Sequence, residues 1–169
     1  AEYRGYAADI TRTFPVNGRF TPAQRALHDL VGAAQRAALD CARVGMPYEA
    51  GHVAAVETLT EGLLKLGLLK GKLEKNLAEG TYRRFYRHKT GHWLGLDVHD
   101  VGDYRIDGES RLLEPGMVFT IEPMLNQGHH ATPVDALWRG LGIPPQAHVL
   151  APAEGRVVLT AARARSSQD

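Results

Sequence analysis

The sequence predicts an α+β domain, with two long amphipathic helices in its first half and mostly strands in its second half. Apolar residues recur at helical spacing between residues 21 and 66, and they alternate with a period of two at 117–123. The chain has 169 residues, of which 44% are hydrophobic and 23% are charged. We therefore expect one domain with a buried core over residues 1–162, followed by a frayed tail at 163–169.

The first predicted element is a hairpin in the segment EYRGYAADITRTFPV, residues 2–16. Its tight turn falls at Arg4-Gly5, and its second arm reads as a long strand. Alternation places Asp9 on one face of that strand together with two threonines. An aspartate within a strand lowers stability unless another group satisfies it, which a turn, an arginine or a bound ligand could do.

A long helix is predicted after the hairpin. Thr21 is a suitable N-cap, Pro22 occupies the first helical position, and Gln24 completes a capping box. Gly45 is expected to end the helix. Its apolar stripe consists of Leu27, Leu30, Val31, Ala34, Ala38 and Cys41.

A second helix is predicted from Pro47 to Leu66 and a shorter one over residues 72–79. The inward-facing residues expected in the second helix are Val53, Val56, Leu59 and Leu63. The remaining pattern predicts strands at about 92–98 and 117–123 and a closing hairpin at 148–160 around PAEG.

The strand MVFTIEP at 117–123 carries an acidic side chain that alternation assigns to a definite face. Met117, Phe119 and Ile121 share one face, so Glu122 points from the other face, and Pro123 then ends the pairing. A glutamate in this position is either a salt-bridge partner on a solvated face or part of a site.

The stretch HKTGHWLGLDVHDVG at 88–102 contains three histidines. A helix would align only His88 and His92, and the two glycines of GHWLGL disfavour a helix. His92 beside a tryptophan could be a hydrogen-bonded core imidazole. Taken together with Asp9 and Glu122 on two other strands, it forms a set that suits Mn(II), Co(II) or Zn(II). Such an ion could polarise a carbonyl and activate water, with Glu122 placed to take the proton.

The composition excludes several classes of protein. The formal net charge is +1, which gives no case for nucleic-acid binding, and no apolar run is long enough to cross a membrane. The basic stretch TYRRFYRHK at 81–89 is read as a solvated face or a strand edge rather than a nucleic-acid patch. Cys41 is the single cysteine, read as an inert thiol, and it suits a reducing, cytoplasmic location.

Four segments occur in the order and at the spacing of a known family: YAADITRTFPVNGRFTPAQR, GHWLGLDVHDVG, LEPGMVFTIEP and WRGLGI. Over residues 2–162 the chain closely resembles the catalytic domain of bacterial Xaa-Pro aminopeptidase (aminopeptidase P), of the prolidase and methionine aminopeptidase superfamily. The resemblance implies the pita-bread fold, in which two similar α/β halves surround a dinuclear metal site. This chain corresponds mainly to the second half.

The resemblance also implies roles for individual residues. These peptidases remove an N-terminal residue that precedes proline, and they bind two Mn(II)-type ions through Asp, Asp, His, Glu and Glu. Carried over, the second aspartate is Asp9, the histidine is His92, and the first glutamate, also the general base, is Glu122. His88 and His99 match two further active-site histidines that help to bind substrate and stabilise the tetrahedral intermediate.

Two ligands of the family pattern do not match. The first aspartate would fall before Ala1, and GIPPQAHV replaces the family's GIRIEDD, which puts Gln146 at the final glutamate and Pro144 at the arginine. A glutamine offers one neutral carbonyl oxygen in place of a carboxylate. We therefore expect one ion at most, or none, and impaired activity or none. The alternative is a metal-free, non-catalytic protein that acts in binding or assembly.

The resemblance predicts partners as well. Most of the family's first α/β half would lie upstream of Ala1, which should leave apolar sheet surface uncovered. We expect a homodimer or a complementing N-terminal chain to cover it. The expected substrate is a peptide with proline at its second position.

Overall fold

A computed structural model describes residues 2–126 and three short strands of the following segment, 142–143, 147–150 and 157–158. Helices precede most of the strands, so the described part is α+β, as predicted. That residues 1–162 form one domain before a tail stays a prediction. The elements are β1 Glu2–Tyr3, β2 Tyr6–Ala7, α1 Pro22–Cys41, α2 Glu49–Lys65, α3 Leu73–Glu79, a 3₁₀ helix Thr81–Arg84, β3 Arg105–Ile106, β4 Glu109–Ser110, β5 Val118–Ile121, β6 Leu125–Asn126, β7 Gly142–Ile143, β8 Ala147–Leu150 and β9 Val157–Val158.

The N-terminal hairpin forms, but its second strand is much shorter than predicted. Arg4 and Gly5 make the turn with φ of 52° and 85°, the left-handed pair that a two-residue hairpin turn requires. β2 ends at Ala7, whose amide donates to the carbonyl of Gly95 at 2.8 Å. Beyond Ala7 no strand among the described residues continues the pairing with this arm, so Asp9 lies in irregular chain rather than within a strand.

The start of α1 agrees with the prediction and its end does not. The Gln24 amide donates to the Thr21 hydroxyl at 3.3 Å, and the Thr21 amide donates to the Gln24 side chain at 2.9 Å, which confirms the capping box. The helix ends at Cys41 instead of near Gly45. The chain turns earlier because the Gly45 amide bonds to the carbonyl of Leu113, which draws this segment toward the start of β5.

α2 is also slightly shorter than predicted; Val56, Leu59 and Leu63 are buried as expected, and the fourth expected inward residue is not. Val53 was expected to face inward, but 57% of it is exposed, so that prediction was wrong. Small residues face α1 instead: Ala55 is fully buried, and a Cβ on Gly51 would lie 3.3 Å from the carbonyl oxygen of Ala38. The close approach of the two helices therefore selects small residues rather than the larger valine. The buried residues of α2 are Ala55, Val56, Leu59, Thr60 and Leu63.

The core lies between the two long helices and β5. Phe119 and Ile121 on β5 are 4% and 3% exposed, and Gln35 of α1 donates to the Ile121 carbonyl at 3.2 Å.

α3 matches the predicted short helix and ends at Gly80, where φ is 65°. Within the described residues, none of the helices combines the length and apolarity that a membrane crossing requires.

The sheet around β5 follows the prediction at its C-terminal side. β5 pairs antiparallel with β8, and β8 pairs antiparallel with β9, which confirms the closing hairpin. The expected strand at 92–98 was wrong, because it is reduced to a single bridge between Trp93 and Phe119. After Leu94 the chain turns away from β5, and the Asp100 amide donates back to the Trp93 carbonyl at 3.1 Å.

One hairpin was not predicted. β3 and β4 pair antiparallel around a turn in which Asp107 and Gly108 have φ of 52° and 84°. The Asp-Gly pair is a strong signal for such a turn. The flanking strands are only two residues long, too short to show a two-residue period in the sequence.

We expect Gly91→Ala to destabilise the protein, because a Cβ there would lie 1.9 Å from the backbone carbonyl oxygen of Thr120. Relief requires a backbone shift, and such overpacking costs about 1–3 kcal/mol. Gly32→Ala in α1 is the matched control, since its Cβ would meet only the end of the flexible Arg36 side chain at 3.4 Å. The control should gain about 0.5–1 kcal/mol. Urea denaturation followed by circular dichroism measures both, and equal stability of the two variants would contradict the expectation.

Candidate metal site

The three residues predicted as metal ligands converge in space. Asp9 follows the N-terminal hairpin, His92 lies beside β5, and Glu122 follows the last residue of β5. The His92 Nε2 atom lies 3.3 Å from Asp9 Oδ2 and 2.9 Å from Glu122 Oε1. One ligating atom from each residue lies within 4.8 Å of the others, and all three side chains are mostly buried. The structure thus brings together residues more than 100 positions apart in the chain.

The orientation of His92 suits a metal ligand. Its Nδ1 lies 2.9 Å from the carbonyl oxygen of Trp93, an acceptor, so Nδ1 carries the proton and donates it. In the neutral imidazole with this tautomer, the lone pair of Nε2 faces the carboxylates of Asp9 and Glu122. Within the described chain Nε2 is buried and makes no hydrogen bond of acceptable geometry. A lone pair and two carboxylate oxygens directed at one point are the donor set of a divalent cation.

Thr120 fixes the relative position of two of these ligands. Its hydroxyl donates to Glu122 Oε1 at 2.7 Å and accepts from the His92 amide at 3.0 Å. The Glu122 amide in turn donates to the carbonyl of Thr90 at 2.6 Å. The side chain of Thr120 was not singled out as a site residue. Its position two residues before Glu122, on the same face of a strand, was the available signal.

The other two histidines lie close to the same site. The His99 ring packs edge-on against the His92 ring with centroids 4.3 Å apart. The exposed His88 ring lies 5.1 Å from Tyr86, and its Nδ1 is 2.7 Å from the Lys89 carbonyl. His88, His92 and His99 all line one cavity of about 700 Å³. The cavity also includes Glu122.

A hydrogen-bonded group that the sequence did not indicate supports the cavity wall. The buried Thr90 hydroxyl lies 2.8 Å from His52 Nδ1 and 2.6 Å from the Tyr86 hydroxyl. Burial, followed by the charge of Lys89, lowers the pKa of His52, so its neutral form is favoured. Burial raises the pKa of the Tyr86 hydroxyl and that of Tyr48, which also lines the cavity, so both hydroxyls stay neutral. His52 lies within a predicted helix, where a histidine is usually solvated, so nothing in the sequence indicated this contact.

Gln146, expected at the position of a lost glutamate ligand, lies outside the described residues, as does Pro144. The basic stretch 81–89 does not form a strand edge; it begins with a 3₁₀ helix and places Phe85 and Tyr86 in the core.

The profile of metallopeptidase family M24 matches residues 1–149. The chain belongs to this family. It is 44% identical over 168 residues to the Xaa-Pro aminopeptidase of Escherichia coli (strain K12), a match that covers 99% of this chain and 38% of that protein. It is 42% identical over 161 residues to the Xaa-Pro aminopeptidase of Haemophilus influenzae, covering 95% of this chain and 37% of the relative. The chain therefore spans a little over a third of the length of these curated relatives.

Solved structures agree with this family membership. The aminopeptidase PepP of Pseudomonas aeruginosa superposes with a TM-score of 0.91 and 47% identity, covering 94% of this chain and 36% of that chain. A zinc-substituted aminopeptidase P of Escherichia coli in complex with product superposes with a TM-score of 0.89 and 46% identity, covering 95% of this chain and 36% of that one. The chain has the pita-bread fold of these metal-dependent peptidases, as the resemblance implied.

The lowered pKa of His52 predicts a contribution to acid sensitivity. The unfolded chain binds a proton at His52 near the ordinary pKa of 6.5, while the folded chain binds it only at lower pH. Stability from this group is therefore complete above pH 6.5 and is lost as the pH falls toward the folded pKa. We expect the metal-free His52→Gln variant to lose less stability between pH 7.5 and 5.5 than the wild type. Urea midpoints at both pH values measure this, with His28→Gln on α1 as a control. An unchanged loss in His52→Gln would contradict it.

Proposed function

We propose that this chain carries a metal-dependent Xaa-Pro aminopeptidase site that holds one divalent ion and removes an N-terminal residue preceding proline. The observation that carries the proposal is the convergence of Asp9, His92 and Glu122, with the buried Nε2 of His92 directed at both carboxylates. Membership of family M24 and the similarity to Xaa-Pro aminopeptidases support the reaction class.

The three ligands have complementary tasks. Asp9 and His92 would hold a divalent ion, and Glu122 would both help to hold it and accept a proton from the attacking water. A divalent ion bound here would polarise the scissile carbonyl and lower the pKa of water. The Thr120 hydroxyl donates to Glu122 Oε1 and so holds the orientation of the carboxylate that takes the proton.

The two flanking histidines act on the substrate in this proposal. His99 lies against the ring of His92, and His88 lines the same cavity, so both face a peptide bound beside the ion. Their ring nitrogens can donate to the carbonyl oxygen that becomes negatively charged in the tetrahedral intermediate. Because hard carboxylate oxygens outnumber the single imidazole, Mn(II) or a similar ion is the expected metal.

The number of ions follows from the sequence at Gln146. The family pattern places a glutamate there, and a neutral amide oxygen cannot offset the charge of two neighbouring dications. We therefore propose one bound ion and a rate well below that of a dinuclear relative. Gln146 and the adjacent Pro144-Pro145 also favour a second candidate function, a metal-free relative that keeps the fold for binding or assembly.

A homodimer is the proposed assembly. The hairpin residues Tyr3 and Tyr6 are 74% and 63% exposed, and Leu96 and Val101 in the adjoining loop are 67% and 90% exposed. The two segments adjoin because the Ala7 amide donates to the Gly95 carbonyl. Exposed apolar side chains on adjoining segments are typical of a protein interface.

The cytoplasmic location, expected from the single cysteine, stays a prediction.

Calorimetric titration with Mn(II) tests the metal site directly. We expect one ion per chain with micromolar affinity, and at least a hundredfold weaker binding in His92→Ala, since the loss of one of three protein ligands removes a bond to the metal. His28→Ala on α1 is the control and should bind as the wild type does.

Cleavage of Xaa-Pro peptides then separates the two candidate functions. A Mn(II)-dependent release of the first residue that is lost in Glu122→Gln supports the peptidase. Binding of a second ion and a faster rate in Gln146→Glu would assign the impairment to that position. Absence of heat at millimolar Mn(II) in the wild type would overturn the peptidase proposal in favour of the metal-free relative.

The homodimer predicts a mass of twice 18.5 kDa in light scattering coupled to gel filtration. Val101→Asp places a charge in the proposed interface and should shift the protein to the monomer. Val53→Asp makes the same change on the exposed side of α2, where 57% of the valine is accessible, and should leave the dimer intact. A wild type that is a monomer at micromolar concentration would contradict the proposal.

A further inference from the structure

Three charged side chains from separate parts of the chain meet in the wall of the cavity. Glu49, the first residue of α2, accepts a hydrogen bond from Arg105 Nη2 at 2.6 Å and one from Lys89 Nζ at 3.4 Å. All three residues line the same cavity as His88, His92 and Glu122. Lys89 directly follows His88 in the chain. A charged cluster therefore shares its cavity with the candidate metal site.

Hydrogen bonds to the backbone and the side chain of Glu49 hold its carboxylate in place. Its backbone amide donates to the Ser110 hydroxyl at 3.0 Å, and Arg105 holds its Oε2 with the shorter of the two ion-pair contacts. Arg105 is itself fixed by a bond from Nη1 to the Gly108 carbonyl at 2.9 Å. Arg105 and Glu49 thus form the closer ion pair, and the cluster of Glu49, Lys89 and Arg105 keeps a net charge of one positive unit.

That remaining charge belongs to Lys89. Its contact with Glu49 is the longer one, and 69% of its side chain is exposed. An ammonium has three donors, so one long contact leaves donors for a ligand. Lys89 and His52 line the same cavity, and after burial the charge of Lys89 contributes to the lowered pKa of His52.

We propose that Lys89, positioned by Glu49 and Arg105, binds a carboxylate of the peptide substrate and so favours short peptides with a free C-terminus. The orientation rests on the proposed function, in which the amino end of the peptide lies at the metal site. The carboxylate then extends along the cavity wall toward the cluster. Lys89 is a specificity residue in this arrangement, while Glu49 limits how strongly it attracts the anion.

The experiment measures equilibrium binding of Ala-Pro-Ala and of its C-terminal amide to the Mn(II)-loaded wild-type protein, with the scissile carbonyl of each peptide reduced to a methylene so that it cannot be cleaved. We expect the free acid to bind about fivefold more tightly than the amide, the size of a partly exposed charge pair. Lys89→Met should abolish this preference and leave binding of the amide unchanged. Glu49→Gln should increase it, because the competing carboxylate is gone. Lys65→Met, which removes the partner of Glu61 on the far end of α2, is the control.

A third peptide identifies the source of the carboxylate. Ala-Pro-Asp amide that binds as tightly as the free acid would assign recognition to an acidic side chain, and weaker binding would assign it to the C-terminus. Equal binding of acid and amide, or a preference that survives in Lys89→Met, would overturn the role of Lys89 alone. Failure of every peptide to bind a protein that holds Mn(II) would overturn the peptidase proposal and this inference with it.

Discussion

The pairing of residues 90–94 with β5 is the constraint on which the rest of the site depends. Three backbone hydrogen bonds define it: Glu122 amide to Thr90 carbonyl at 2.6 Å, Thr120 amide to His92 carbonyl at 2.9 Å, and Leu94 amide to Val118 carbonyl at 3.1 Å. This register places the side chains of His92 and Glu122 on one face as diagonal neighbours. A slip of one residue would turn Glu122 into the core.

The opposite face of β5 anchors that register. Phe119 and Ile121 are buried in the hydrophobic core, and the Gln35 side chain of α1 donates to the Ile121 backbone carbonyl. The hairpin arm that carries Asp9 is attached to the same backbone, because the Ala7 amide donates to the carbonyl of Gly95, which directly follows residues 90–94. The core, the hairpin and the three candidate ligands are therefore connected through about six residues of backbone. One face of β5 packs in the hydrophobic core, and the other face leads to the candidate ligand Glu122.

The sequence was sufficient for the features that depend on local rules. The capping box at Thr21 and the strand that alternation predicts within 117–123 each follow from a few neighbouring residues; the structure confirms the capping box and has the strand over the shorter range Val118–Ile121. The same alternation correctly assigned Glu122 to the face away from the core. The residue types suggested a metal set of Asp9, His92 and Glu122, and the resemblance to a family added their individual roles, since residues from three distant segments carry no common local signal.

The errors in the prediction have a common physical cause. Val53 was placed inside because it is apolar, yet helix–helix contact needed the smaller Ala55. The segment 92–98 has strand-forming residues, but one backbone hydrogen bond from Asp100 to Trp93 closes it into a loop that carries His99 next to His92. The network of His52 with Thr90 was missed because it joins residues 38 positions apart. In each case tertiary packing decided what local preference could not.

The most direct test of the central claim is a crystal structure of the protein grown with Mn(II), with diffraction recorded at the manganese absorption edge. The account predicts one anomalous peak about 2.0–2.3 Å from His92 Nε2 and from an oxygen of both Asp9 and Glu122. A map without a peak at this position, with the imidazole hydrogen-bonded directly to the carboxylate of Glu122, would contradict it. The three residues would then be a buried polar cluster rather than a metal site.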